Sequence, residues 1–365
     1  MKLIDILKFS EEYLSKYSFS KPRLEAEKII AHVLNCDRMG LYTNFETELS
    51  SEEREKIKKY LKEMSTMKKT YEELDKNEKT DYKVINLELL NKSIEYLKEK
   101  GVIDYRLDAE YIFSHVLKCS RSFLNFNLFK EITAEQKDEI RKMIIQRGKF
   151  RKPLQQILGE WEFYGHPFKI NEHVLIPRQD TEILVEQCKL LMLDIENPKI
   201  LDIGTGSGAI GITLAKELPK SYVTAVDISD EALKIAKSNS ELNGVKNIEF
   251  KKSDVFLAVE GEFDLIVSNP PYIPLEEYEE LMIEVKNHEP KLALTDNGDG
   301  YYFYHKISKE AKPFLKKGGY LAFEVGYNQA EKVAQFAEEN GLSLVGIIKD
   351  YSGIERVVIS RKVGE

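Results

Sequence analysis

The residues best placed for chemistry are Ser268-Asn269-Pro270-Pro271-Tyr272. They follow Phe263-Asp264-Leu265-Ile266-Val267, a short, apolar, β-branched run that suits a central strand of a parallel sheet. Two consecutive prolines forbid further ladder or helix, so the chain leaves the sheet in a rigid, extended course. Ligands of open α/β sheets gather at the carboxyl ends of strands. Here Asn269 offers an amide, the prolines leave carbonyls that cannot retreat into secondary structure, and Tyr272 offers a stacking ring. The set makes a clamp for a planar group bearing an NH2.

A second candidate, Leu201-Asp202-Ile203-Gly204-Thr205-Gly206-Ser207-Gly208-Ala209, joins a strand to a helix. Its glycines let backbone approach a ligand, and the helix start offers free N–H groups. Asp227 ends the next strand, 21 residues after Gly206, where a carboxylate would take ribose hydroxyls. Read as Gly-x-Gly-x-x-Ala, the turn also fits a dinucleotide fingerprint, so alone it leaves a nicotinamide cofactor and S-adenosylmethionine both open. Two features separate them. Asp202, just before the first glycine, opposes a pyrophosphate and favours a cationic sulfonium. Asp254, after Ser253 at the end of a third strand, would accept from an adenine amino group.

With such a cofactor the clamp would orient a nitrogen for in-line methyl transfer. An amide or exocyclic amino nitrogen is a poor nucleophile because its lone pair is delocalised. N–H donation to the Asn269 side-chain oxygen and the Pro270 carbonyl would hold the nitrogen, and Tyr272 would pack on the planar group. Positioning of this kind supplies roughly 7–11 kcal/mol, so no strong base is needed.

The elements that must place these residues follow from the rest of the chain. Its 365 residues are too many for one ordinary core. A hydrophobic content of 42% suffices for globular burial, and a net charge of -8 argues against a broad phosphate-binding surface. Cys36, Cys119 and Cys188 are widely spaced and form no CxxC pair, which suits a reducing compartment and offers no zinc site. The first residues lack a signal-peptide core and no run is apolar enough to span a membrane, so a cytoplasmic protein is expected.

An internal repeat fills the first 150 residues: Arg23 to Cys36 recurs as Arg106 to Cys119, 83 positions on. Each copy reads as three helices, the first with Ile6, Phe9, Tyr13 and Leu14 inward. The third opens on a capping signal at Ser50-Ser-Glu-Glu53 or Thr133-Ala-Glu-Gln136. His32 and His115, with Cys36 and Cys119, are expected on the core side as packing residues rather than metal ligands. The boundaries read as 1–64 for the first copy, 65–85 for a charged linker and 86–150 for the second copy. A β-hairpin connector at 151–178 follows, built around Leu154–Leu158 and Trp161–Tyr164, and then an α/β domain at 179–365. In that domain seven strands begin near Lys199, Tyr222, Ile248, Phe263, Tyr320, Leu344 and Glu355. Helices separating the first five predict a doubly wound parallel sheet, with the last two strands an antiparallel edge.

Together, the Asp202 to Ala209 turn, Asp227, Asn269-Pro-Pro-Tyr272 and Leu175-Ile-Pro-Arg178-Gln-Asp-Thr-Glu182 resemble the protein-(glutamine-N5) methyltransferases. The closer likeness, over about residues 86 to 365, is to the peptide chain release factor glutamine methyltransferases. The resemblance implies a Rossmann-like class I S-adenosylmethionine-dependent methyltransferase with a seven-stranded sheet and an antiparallel last strand. It implies methylation of the glutamine in the Gly-Gly-Gln motif of class I peptide chain release factors, leaving S-adenosylhomocysteine. Asp202, Gly204, Thr205, Gly206, Ser207, Gly208, Asp227, Asp254 and Val255 would hold the cofactor, with Asn269 beside it. Asn269, Pro270, Pro271 and Tyr272 would bind the glutamine, and Arg178 and Glu182 would touch it or brace its pocket. A monomer with a protein substrate and no direct contact to nucleic acid is expected. Adenine-N6 methyltransferases of DNA and RNA share Asn-Pro-Pro-Tyr, but the helical repeat, with its acidic and basic residues nearly balanced, supplies no strongly basic reading domain. Sister enzymes that modify a ribosomal protein differ at the Ile-Pro-Arg segment. A helical scaffold with a dead Rossmann domain is disfavoured because every cofactor position is intact. Two departures stand out: Gln179 replaces a common proline, and the family normally carries one helical module where this chain has two.

Overall fold

Residues 2–34, 36, 38–43, 47–128 and 131–364 are described by the structure, a computed structural model. Two compact units divide the chain: Met1–Glu95 with Ala109–Ile140, and Tyr96–Asp108 with Arg141–Glu365. The second helical copy is therefore shared between them.

In the first unit the helices Leu3–Lys16, Pro22–Leu34 and Ser51–Met67 close over Leu3, Ile6, Leu7, Leu14, Ile29, Ile30, Leu61 and Met64. Phe9, expected inward, is 51% exposed. Ser10 takes the inward place, its hydroxyl donating to Ile6 O at 2.7 Å. Both capping boxes form. Ser50 Oγ accepts from Glu53 N at 3.2 Å and Thr133 Oγ1 from Gln136 N at 3.3 Å, while Glu53 and Gln136 reach back to the cap N–H. Each copy holds a further short helix that the sequence reading lacked: Arg38–Thr43 in the first, and Arg121–Phe123 running on as Leu124–Asn127 in the second. His32 and His115 lie on exposed faces, not core faces. His32 instead meets the Tyr60 hydroxyl at 3.0 Å, its ring edge-on to that tyrosine. The helix Tyr71–Glu99 takes in residues 71–85 of the expected linker. Its run of Glu, Lys and Leu favours helix even where amphipathic periodicity fails. Among the described residues no helix is long and apolar enough to cross a membrane.

The two copies diverge at one buried acid. Glu25 of the first accepts from Tyr71 N at 2.7 Å, at the start of the next helix. Its counterpart in the second, Asp108, accepts from Arg147 Nε at 2.5 Å. Arg147 also reaches Glu284 at 3.1 Å, and Arg151 Nε reaches the same carboxylate at 3.0 Å. Position 64 in the first copy, the counterpart of Arg147, is a methionine.

The connector differs from expectation in one piece. Leu154–Leu158 is a short helix ended by Gly159, and the hairpin is β1 (Glu160–Phe163) with β2 (His166–Lys169), turning at Tyr164-Gly165. Gln156 there is 6% exposed, and its side chain donates to His288 O at 2.8 Å.

The main sheet comprises β3 (Lys199–Ile203), β4 (Tyr222–Asp227), β5 (Ile248–Lys252), β6 (Phe263–Ser268), β7 (Leu315–Glu324), β8 (Ser343–Lys349) and β9 (Glu355–Arg361). Their order is β5-β4-β3-β6-β7-β9-β8. Only β9 runs against its neighbours, and it sits between β7 and β8 rather than at the edge. One face packs on the helices Gln179–Met192 and Ala209–Glu217, the other on Tyr302–Ala311 and Ala330–Glu339. No helix separates β5 from β6. Residues 253–262 cross by turns instead, with Val255 at φ 54°.

Replacing Arg147 by alanine would leave buried Asp108 without its cation and close to Glu284, which keeps only Arg151. A loss of about 3 kcal/mol in unfolding free energy is expected by urea titration. A loss under about 1 kcal/mol would mean that solvent already screens the cluster.

Candidate active site

The strand register gathers the candidate residues. Ile203 pairs with Val226 on one side and Ser268 on the other, and Asp227 pairs with Lys252. The chain thereby delivers Gly204, Asp227, Ser253 and Asn269 to one sheet edge. A cavity of about 360 Å³ opens there. Gly204, Gly206, Asp227, Asp254 and Val255 line one part of it, and Asn269, Pro270 and Pro271 another.

The glycine turn is folded back by hydrogen bonds from Gly204 N and Thr205 N to Val226 O, at 2.9 and 3.0 Å. Gly206 N donates to Asp227 Oδ2 and Ser229 N to Asp227 Oδ1, each at 2.9 Å. Burial nevertheless raises the Asp227 carboxyl above its ordinary range, against those N–H groups. Each carboxylate oxygen keeps a lone pair for a further donor. Gly208 caps the following helix at φ 83°, and a Cβ there would lie 2.5 Å from Ile212 Cδ1. Any side chain there would be strained by the positive φ and would push Ile212 aside.

Asp202 does not line the cavity. It lies fully buried behind the turn, where Oδ2 accepts from Thr205 Oγ1 at 2.6 Å and Gly211 N at 3.0 Å. Its Oδ1 has no partner, and burial pushes the carboxyl up to about 6. Thr205, Ser207 and Gly208 also stand behind the wall, Ser207 O accepting from Asn239 Nδ2 at 2.9 Å. These four shape the turn, and Asp202 acts on a ligand only through its field.

Asp254 is paired with Lys306 at 2.8 Å. Beside it Val255 sits in the left-handed region, a costly conformation for a β-branched residue. Tyr302, Phe303 and Ile307 form an apolar wall that the sequence reading missed, although the aromatic run Tyr301–Tyr304 was its signal. His173, Val174 and Leu175 face the cavity from the connector. Among the described residues no group of three or more His, Cys, Asp or Glu side chains could hold a metal ion.

At the clamp, Ser268 Oγ donates to Ile203 O at 2.8 Å and Asn269 Nδ2 to Thr181 Oγ1 at 3.4 Å. Tyr272 does not present its ring to the cavity as expected. The ring packs on the core with Tyr304 and Phe323, and burial raises its hydroxyl well above the ordinary range. Its carbonyl accepts from Gln329 Nε2 at 3.0 Å. Arg178 and Glu182 do not line the cavity either. Arg178 pairs with buried Glu289 at 2.6 Å, and Glu289 also accepts from Ile176 N at 3.1 Å. Glu182 accepts from Tyr164 N at 2.8 Å, holding the hairpin turn. Both side chains are spent as braces.

Gly300 closes the clamp from outside at φ 82°, where a Cβ would fall 2.3 Å from Tyr272 O. Gly300→Ala is expected to lower unfolding free energy by about 2 kcal/mol or more in urea titration. Unchanged stability would show that the segment beyond Tyr272 yields freely.

A family model described as the PrmC N-terminal domain matches residues 5–67 and 88–159, and one described as the methyltransferase small domain matches residues 179–299. The release factor glutamine methyltransferase of Fusobacterium nucleatum subsp. nucleatum is 54% identical over 335 residues, covering 91% of this chain and 94% of that protein. Coverage that wide must include part of the first helical copy. The release factor glutamine methyltransferase of Geobacter sulfurreducens is 41% identical over 266 residues, covering 73% of this chain and 93% of its own length. The family model falls on both copies of the repeat, and both relatives are matched over more than nine tenths of their own lengths: this chain belongs to the release factor glutamine methyltransferases.

Proposed function

We propose that this chain methylates the side-chain amide nitrogen of the glutamine in the Gly-Gly-Gln motif of class I peptide chain release factors. The observation that carries the reading is the placement of Asn269, Pro270 and Pro271 on the cavity wall that Gly204, Gly206 and Asp227 share. S-adenosylmethionine supplies the methyl group on a cationic sulfonium. The residues present fit it: paired Asp227 oxygens for ribose hydroxyls, Asp254 for an adenine amino group, an apolar wall at Tyr302 and Phe303, and the field of buried Asp202 for the cation.

Asn269 and the Pro270 carbonyl accept from the glutamine N–H groups and turn the nitrogen toward the donor. Pro271 lacks an N–H that could compete for those acceptors. Tyr272 contributes by anchoring the loop to the core rather than by stacking. Arg178 and Glu182 hold the connector that faces the cavity. We infer a protein substrate rather than a nucleic acid, and a monomer working in the cytoplasm, where translation factors are. The adenine alternative would need a basic surface for a nucleic-acid strand, and the chain's net charge of -8 speaks against one.

Purified protein with labelled S-adenosylmethionine and an intact release factor should label the Gly-Gly-Gln glutamine. Asn269→Ala is expected to cut the rate about 10²-fold or more, since it removes a preorganised acceptor. Equal label on a release factor whose glutamine is replaced would sink the assignment.

A further inference from the structure

Beside the clamp lies a carboxyl group to which nothing above gives a task. Glu324 ends β7, next to the end of β6, and is 2% exposed. Its carboxyl faces the Thr181 hydroxyl and the Asn269 amide, both of which favour its charged form by hydrogen bonding. Its Oε2 is buried with no partner within hydrogen-bond distance. A buried carboxyl with an unmet oxygen is costly, and core packing alone would be better served by an apolar residue.

Resting on the role of Asn269 just given, we propose that Glu324 is a positioning residue that, through Thr181, fixes which way round the Asn269 amide stands. The direction follows from the inventory of protons. A carboxylate only accepts, so the single Thr181 hydroxyl proton points to Glu324. Thr181 Oγ1 then offers only lone pairs to Asn269 and must receive Nδ2–H, the arrangement found at 3.4 Å. Oδ1 is left facing away from Thr181, free to accept from the glutamine NH2. A protonated Glu324 can donate instead, which would reverse the Thr181 hydroxyl and invite the amide to flip. The clamp would then aim N–H groups at an N–H nucleophile.

The charge on Glu324 is poised for this. Burial pushes its carboxyl up to about 7, opposed by Thr181, Arg356 and Asn269 and reinforced by Asp180. Arg356 on β9 shares its charge with Asp180 at 3.4 Å and Asp350 at 3.1 Å, so it only partly neutralises Glu324. Tyr272 and Tyr304 stand near as un-ionised phenols, and the Tyr304 hydroxyl donates to the Glu324 main-chain carbonyl at 2.8 Å. Ionised Glu324 is the productive form, so turnover rises with pH through about 7.

The test is steady-state methylation of an intact release factor by wild type, Glu324→Gln, Thr181→Val and Thr181→Ser, over a pH series on both sides of 7. Cofactor affinity is measured by calorimetry alongside. Glu324→Gln can both donate and accept, so its kcat should fall about tenfold or more and its rise near neutral pH should vanish, with cofactor affinity kept within about twofold. Thr181→Val should behave the same way, and Thr181→Ser, which keeps the hydroxyl, should match wild type. Should Glu324→Gln fail to fold, the valine and serine pair decides alone. Wild-type kcat and pH profile in Glu324→Gln, or equal losses in both Thr181 variants, would overturn the positioning role while leaving the function intact. Wild type that binds cofactor yet labels no release factor would overturn the functional reading, and this proposal with it.

Discussion

The hydrogen bond from Ser268 Oγ to Ile203 O spans the last rung between β6 and β3, and the site's two halves meet across it. On one side of that rung the chain turns into the glycine loop. On the other it runs into the prolines. Neither strand can slip along its partner without moving an apolar, fully buried ladder of Ile200, Leu201, Leu265 and Ile266, so the spacing between cofactor turn and clamp is set by packing rather than by loops. The binding groups themselves are mostly main chain and short side chains. Their accuracy is borrowed from the sheet beneath.

The loop beyond the clamp is held by charge. Glu284 is gripped by Arg147 and Arg151, Glu289 by Arg178 and the Ile176 N–H, and His288 contributes its carbonyl to Gln156. All of these partners lie within residues 147–178. The connector thus fastens a segment that would otherwise be a long excursion between β6 and β7. The family motif around Arg178 takes part in this fastening, through Arg178 on Glu289 and Glu182 on the Tyr164 N–H.

Much of this was legible in the chain. The apolar run before Asn269, Gly204 and Gly206 of the turn, and the acids Asp227 and Asp254 are local signals that come together at the cavity, while Asp202 lies behind the turn. What failed was nonlocal. Tyr272 reads as a free aromatic ring, yet Gln329 and Gly300 pin its carbonyl and the ring goes to the core. Leu154–Leu158 reads as strand because five apolar or amide residues carry little periodic information. For Arg178 and Glu182 the sequence leaves substrate contact and bracing both open, because it does not reveal their partners Glu289 and the Tyr164 N–H. Glu324 is invisible for a similar reason: an acid closing an apolar strand resembles any strand-end charge until its neighbours are known.

The placement of β9 has a consequence for how the enzyme comes into being. That strand follows all the others in the chain yet lies inside the sheet, and it pairs Val357 with Glu324 and brings Arg356 to the same spot. While the chain is being synthesised, β7 must wait with one flank open, and the wall behind Asn269 remains wet until residues 355–361 arrive. A chain that already displays both motifs therefore lacks the wall behind Asn269 until β9 pairs with β7.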